Sequence, residues 1–270
     1  MDPTRWLSRA VGRLSRVPSR VAVRAYARAV GAQMDEAELG IADYPRVADF
    51  FRRRLTEGAR PPPDGTSLAS PADGTYQGAG RFDGDGPPII VKGQRFAWKA
   101  FLEQAPWAIR FQQGAFFSVY LSPKDYHRVH APCAGRIVER RHVPGTLYPV
   151  NALGRRLISD LYVRNERVLI LMETAQFGAV VVAFVGATNV GSIRLSFDEE
   201  LRTNVDDPAP LLRRFDLPVE AGDELGWFEL GSTVVVMSER PFEATHPAHS
   251  SIRHGAAVGA PPKPSGSDGA

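Results

Sequence analysis

The chain has 270 residues, 43% of them hydrophobic and 23% charged, with a single cysteine and a formal net charge of +3. This composition suits a folded protein with a full core and excludes wholesale disorder. No apolar run approaches the ~20 residues that a helical membrane span needs, and Cys133 alone cannot form an intrachain disulfide. The charge is unevenly placed, because residues 1–30 hold seven arginines against one acid, Asp2, and leave the remainder net negative. A basic terminus on an acidic body calls for an anionic partner, either nucleic acid or an anionic membrane surface.

Arg5, Arg9, Arg13, Arg16, Arg20, Arg24 and Arg28 recur in steps of three or four and so track one face of a helix, with Leu7, Val11, Leu14, Val21 and Ala25 opposite. Pro18 predicts a division into two helices. The pattern fits a segment lying in a membrane interface, and equally one docked on the protein's own body with its arginines in water. Arginine recurs too often for the apolar stretch of a secretory signal. Residues 47–55 read as another short helix, and Pro61, Pro62, Pro63, Asp64 and Gly65 as a linker.

Beyond the linker the texture turns to β. Phe116–Leu121, Arg136–Val143, Val168–Met172, Val180–Val185 and Thr233–Met237 are short runs rich in β-branched and aromatic residues, many of them separated by glycine-bearing turns. Lys99–Gln104 is the one internal helix expected. Glycine-punctuated β stretches near 130–190 and 219–237 are readable as related halves. The expected class is α+β: a mainly antiparallel, β-rich, barrel- or sandwich-like body behind N-terminal amphipathic helices. Three regions follow: helices over 1–60, a β-rich catalytic domain over 61–243, and a disordered tail over 244–270, the last from its Pro, Gly, Ser and Ala content.

Three segments carry residues suited to chemistry. Ser70-Pro71-Ala72-Asp73-Gly74 is a turn signal, and Asp73 alone would be an ordinary turn residue. Tyr126-His127-Arg128-Val129-His130-Ala131-Pro132-Cys133 gathers two imidazoles and a thiol behind Asp125. A zinc site from His127, His130 and Cys133 lacks a second cysteine, so proton handling near neutral pH is the favoured reading and no metal is expected. Gly226-Trp227-Phe228-Glu229-Leu230-Gly231-Ser232-Thr233 reads as a turn into a strand. Gly-Ser is also a place where a serine hydroxyl can attack the preceding carbonyl, given a nearby base.

Together these segments resemble the phosphatidylserine decarboxylase family, over roughly Tyr44 to Met237. The resemblance rests on Ser-Pro-Ala-Asp-Gly, the Tyr126–Cys133 segment, Arg164-Asn165-Glu166-Arg167-Val168, Val185-Gly186-Ala187-Thr188-Asn189-Val190-Gly191-Ser192-Ile193 and Leu230-Gly231-Ser232-Thr233, all in family order. Ala131, where a bulkier residue is expected, and Tyr148-Pro149, in place of the more usual Phe-Ser, are small departures that bear on headgroup or acyl selectivity.

The resemblance implies self-cleavage between Gly231 and Ser232 into a large chain, 1–231, and a small chain, 232–270, with Ser232 becoming a pyruvoyl group. By analogy Asp73 orients His130, and His130 removes the Ser232 proton. The amine of phosphatidylserine then forms a Schiff base with the pyruvoyl ketone, an electron sink for loss of CO2 that yields phosphatidylethanolamine. His127 is the implied acid for reprotonation. Tyr148, Val150, Asn151, Gly186 and Gly191 are candidates for the substrate wall. A lipid substrate favours the membrane reading of the seven arginines, each worth about 1 kcal/mol beside an anionic leaflet. The expected partners are thus the lipid, an anionic membrane surface, the two chains of one precursor and a second copy in a homodimer, with no nucleic acid. The expected place is the periphery of a bacterial cell membrane, on its cytoplasmic face. Competing readings are an uncleaved phosphocarrier or peptidoglycan-binding barrel, the zinc hydrolase, and a pyruvoyl decarboxylase for a soluble amino acid.

Overall fold

The computed structural model describes residues 3–82, 89–91, 94–96, 98–150, 157–188, 192–205, 209–229 and 233–261. In chain order the helices α1 (Pro3–Ser15), α2 (Arg20–Val30) and α3 (Val47–Phe51) precede the strands β1 (Leu68–Ala69), β2 (Gly74–Arg81), β3 (Ile89–Val91) and β4 (Gln94–Phe96). Helix α4 (Trp98–Phe101) and a 3-10 segment, Pro106–Phe111, lead to β5 (Ala115–Tyr120), β6 (Arg128–His130) and β7 (Gly135–Val143). There follow β8 (Arg167–Thr174), β9 (Gly178–Val185), β10 (Ile193–Leu195), β11 (Leu211–Val219), β12 (Glu224–Phe228) and β13 (Thr233–Ser238). The chain closes with β14 (Glu243–Ala244), β15 (Ser251–Ile252) and β16 (Ala257–Ala260).

The expected α+β class is what forms, and all pairings between these strands are antiparallel. The main sheet has the order β11-β7-β8-β9-β13-β5-β2-β15, and a smaller sheet has the order β10-β12-β6. The two stretches readable as halves are not separate sheets, since β7, β8, β9 and β13 share the large one while β6 and β12 pair in the small one. In β8, β9 and β13 the apolar run is nearly unbroken rather than alternating, and accordingly both faces are buried. Arg167, 1% exposed, opens β8 and donates to the carbonyls of Phe101, Ala100, Val163 and Asn165, which is how a guanidinium is accommodated in this core.

The disordered tail is corrected by three strands. β15 extends the main sheet against β2, and β16 lies between β1 and β14, with Ile252 and Val258 buried. Glycine here serves close packing rather than flexibility: a Cβ on Gly259 would stand 2.3 Å from the Phe242 ring. Composition alone therefore misread residues 244–261; the rest of the tail lies outside the described residues.

Pro18 does separate two helices. Ser19 caps α2 by accepting the Ala22 N–H at 3.2 Å, and Gly31 ends it in the left-handed region. Val23 and Ala27 pack with Tyr44 and Phe50 into a small second core. Helix α1 docks by its polar face. Arg5, expected at a membrane, is only 7% exposed; it donates to the carbonyls of Gly145 and Val205 and lies 3.6 Å from the buried Glu166 carboxylate. Arg9 also reaches the Val205 carbonyl, and Arg16 pairs with Glu229. Trp6, Leu14 and Val21 are by contrast 63%, 73% and 76% exposed, and Arg13, Arg20, Arg24 and Arg28 are exposed around them. No described helix is long and apolar enough to cross a membrane.

Candidate active site

The Ser-Pro-Ala-Asp-Gly turn and the histidine segment meet through their backbones. The His130 N–H donates to the Pro71 carbonyl at 2.8 Å, and Ala69 N–H to that of Pro132, also at 2.8 Å. Gly74 is required by crowding, because a Cβ there would fall 2.3 Å from the Tyr120 carbonyl oxygen. Strand β6 then pairs with β12, setting Arg128 opposite Trp227 and His130 opposite Glu224. Arg128 Nη1 donates to both carboxylate oxygens of Glu224, at 2.7 and 2.9 Å, and the guanidinium lies over the Trp227 ring. Just beyond that register, Phe228 N–H donates to the His127 carbonyl at 3.1 Å. The chain thereafter enters β13, in the middle of the main sheet between β9 and β5. β12, in the histidine sheet, is thus followed in the chain by β13 of the central sheet. Leu230, Gly231 and Ser232 lie outside the described residues.

His127 and His130 have an odd separation along an extended segment, which directs them to opposite faces. His127 is fully buried, its ring centroid 3.9 Å from that of Phe51. Its Nδ1–H donates to the Asp125 carbonyl at 2.8 Å, and Nε2 has no hydrogen-bond partner. Burial pushes its pKa down to about 3 against the opposing pull of that carbonyl. His127 is therefore neutral in this state, with a bare acceptor nitrogen at Nε2.

His130 sits differently. Its Nδ1–H donates to the Gly222 carbonyl at 2.8 Å, which fixes the tautomer and leaves Nε2 to accept the Tyr126 hydroxyl at 3.1 Å. Burial lowers its pKa, partly offset by the Gly222 carbonyl and by Glu224. Asp73, expected to orient His130, makes no hydrogen bond to it. Asp73 instead accepts from Arg60 Nε at 3.1 Å and Arg60 Nη2, and from the His254 main-chain N–H at 2.8 Å. A guanidinium competes better than a neutral imidazole for a carboxylate. The Cys133 thiol is buried and raised to about 12 by desolvation, and the described residues contain no cluster suited to a metal ion.

The family model for phosphatidylserine decarboxylase matches residues 47–260. The chain belongs to the phosphatidylserine decarboxylase family. It is accordingly an enzyme of the decarboxylase class. The chain is similar to the phosphatidylserine decarboxylase proenzyme of Anaeromyxobacter sp. (strain K), 41% identical over 249 residues that cover 88% of this chain and 86% of that one. The proenzyme of Halorhodospira halophila is 42% identical over 253 residues, covering 87% and 82% of the two chains. That of Myxococcus xanthus is 37% identical over 244 residues, covering 88% and 86%. The family match runs through β14, β15 and β16, the segment that composition had assigned to a tail.

Within this decarboxylase, three of the wall candidates are described, and two of them meet at Asn165. Fully buried, Asn165 donates from Nδ2 to the carbonyls of Tyr148 and Gly186, each at 2.9 Å, and accepts the Tyr148 N–H at 3.0 Å. Thr188 Oγ1 donates to the Leu147 carbonyl, so the loops around 147 and 187 are tied together, and Val150 is buried. Asn151 and Gly191 lie outside the described residues. Sequence reasoning quoted Tyr126 and Asn165 inside family segments without giving them roles. It missed His254 altogether, because the segment around it was taken for a tail.

Proposed function

We propose that this chain is a proenzyme that cleaves itself between Gly231 and Ser232 and then converts phosphatidylserine to phosphatidylethanolamine. The observation that carries the reading is the β6–β12 pairing, which puts the histidine segment beside the strand leading to Ser232. Two buried polar atoms without partners support this reading: Thr233 Oγ1, next in the chain to residue 232, and Nε2 of His127, whose carbonyl accepts the Phe228 N–H. A pyruvoyl group at 232 would supply the electron sink for the loss of CO2.

The chain's own groups divide the proton work. His130, neutral and with its tautomer fixed by Gly222, takes the Ser232 proton, with the Tyr126 hydroxyl on Nε2 as the group through which the proton passes. His127 accepts at its bare Nε2 the proton that the substrate's ammonium group must lose, and delivers that proton to the carbon left when CO2 departs. That cycle belongs to the cleaved form, because in the intact precursor burial keeps the ring uncharged. The Tyr148–Gly186 wall, held by Asn165, borders the substrate. Helices α1 and α2 hold the enzyme on an anionic membrane at its cytoplasmic face: Trp6, Leu7, Leu14, Val17 and Val21 enter the interface while Arg13, Arg20, Arg24 and Arg28 meet the headgroups. Arg5 is excluded from that role by its burial. The two chains remain joined after cleavage because β13 lies between β9 and β5.

Intact-mass measurement on the denatured protein tests the reading. The expected result is two fragments that divide before residue 232, the smaller one carrying a blocked, ketone-bearing first residue, and one full-length inactive chain for Ser232→Ala. A single 29.5 kDa species from folded, lipid-exposed wild type would overturn it.

A further inference from the structure

We infer that His254 is a positioning residue for self-cleavage, its ring lying flat on His130 and its main chain held by Asp73, so that Asp73 acts on His130 through His254. The inference rests on the reading in which His130 is the base for Ser232. The two imidazoles have centroids 3.8 Å apart and planes inclined by 12°. No hydrogen bond joins Asp73 to His130, yet Asp73 accepts the His254 N–H at 2.8 Å while Arg60 holds the rest of its carboxylate.

The neighbouring backbone fixes the same ring. Gly255 N–H donates to the Ser70 carbonyl at 3.0 Å, and Ser70 N–H to that of Ala256 at 2.8 Å, so residues 255 and 256 are fastened to the Ser-Pro-Ala-Asp-Gly turn. Gly222, whose carbonyl holds His130, faces the other ring too: a Cβ on it would stand 4.0 Å from His254 Cε1. A cavity of about 250 Å³ is lined by Tyr126, Glu224 and His254, whereas His130 lies behind that lining and is buried.

A flat ring in this place does two things. It keeps water off one face of His130, and burial is the main cause that keeps His130 in its neutral, basic form. It also offers an aromatic face to the imidazolium once His130 has taken the proton. The pKa of His254 is itself pushed to about 4, first by burial and then by charge on His130. The other ionisable groups facing the pair are Asp73, Arg60, Glu224, Arg128 and Tyr126. Residue 254 lies on the small-chain side of the proposed cut and His130 on the large-chain side, so the stack is also a contact between the two products.

The test follows cleavage of full-length precursor, made by cell-free translation and then moved into buffers between about pH 5 and 9, where ordinary and perturbed histidines titrate. His254→Phe keeps the ring and is expected to cleave within about threefold of wild type with the same acid limb. His254→Ala admits water and is expected to cleave about tenfold more slowly or worse. Its acid limb should move up by about half a pH unit, since a better-solvated His130 holds its proton to higher pH. Circular dichroism reports folding. Where His254→Ala fails to fold, His254→Leu replaces it: it excludes water but lacks the aromatic face, so its acid limb should move down. A wild-type rate and limb in the folded Ala or Leu variant would overturn the inference, as would a Phe variant as slow as Ala. Failure of the underlying reading looks different: wild type would not cleave, or His130→Ala would.

Discussion

The carbonyl of His127 accepts the N–H of Phe228 at 3.1 Å, which makes the histidine segment and the approach to Ser232 neighbours although they are far apart in the chain. The two histidines leave this junction toward different partners, His127 to Asp125 and Phe51, His130 to Gly222, Tyr126 and His254. Separate surroundings are what two separate proton-transfer roles require.

Substitution should resolve those roles by stage. His130→Ala is expected to remain uncleaved. His127→Ala is expected to cleave and then to release CO2 from phosphatidylserine about 10²–10⁴-fold more slowly, the usual loss for a positioned proton-transfer group. The cleaved fraction on a denaturing gel and CO2 release from the cleaved enzyme measure the two stages. An uncleaved His127→Ala beside a cleaved His130→Ala would reverse the assignment.

Acid should destabilise the folded precursor through its buried imidazoles. His127 and His254 have folded-state pKa values pushed down to about 3 and about 4, below the ordinary 6.5 of an unfolded chain. Between those values the unfolded chain binds more protons than the folded one, so stability rises with pH and is lost as pH falls below about 6.5. Each histidine contributes at most about 1.4 kcal/mol per pH unit over that window. Ser232→Ala, which remains one species, is the protein to melt at successive pH values. Adding His254→Phe should flatten the fall in Tm between pH 6 and pH 4.5, because one titrating group has been removed; an unchanged slope counts against the neutral, buried state of His254.

The N-terminal helices should separate membrane binding from stability residue by residue. Leu14→Glu with Val21→Glu puts charge on exposed apolar positions, and is expected to weaken co-sedimentation with anionic vesicles about tenfold or more while leaving Tm within about 1 °C, as surface changes do. Arg24→Glu with Arg28→Glu should act in the same direction and more strongly at low salt. Arg5→Ala should do the reverse. It removes the cation beside buried Glu166 and the donors to Gly145 and Val205, costing about 2–4 kcal/mol of stability with little change in vesicle binding by the folded protein. Vesicle binding unchanged by both double substitutions would return α1 and α2 to a purely structural part.

Much of this protein is settled locally and is therefore legible in the sequence. The apolar or alternating runs that become β5, β7, β8, β9 and β13 announce strands by their own local pattern, and Pro18 with Ser19 divides α1 from α2 by backbone chemistry alone. The family segments around Asp73, His127, His130 and Ser232 likewise stand in linear order. Only the tertiary structure decided what each residue faces. Arg5 and Arg24 occupy equivalent places in one helical periodicity, yet the first is buried against Glu166 and the second is exposed, since periodicity defines a face and not what covers it. Asp73 finds Arg60, just ahead of the linker, rather than His130, because a guanidinium outcompetes a neutral ring for a carboxylate. His254 sits in a stretch whose glycines and prolines resemble those of a disordered tail; it becomes part of the site because β15 and β16 pair with strands from the other end of the chain. Those hydrogen bonds link residues so far apart in the chain that no local pattern encodes them.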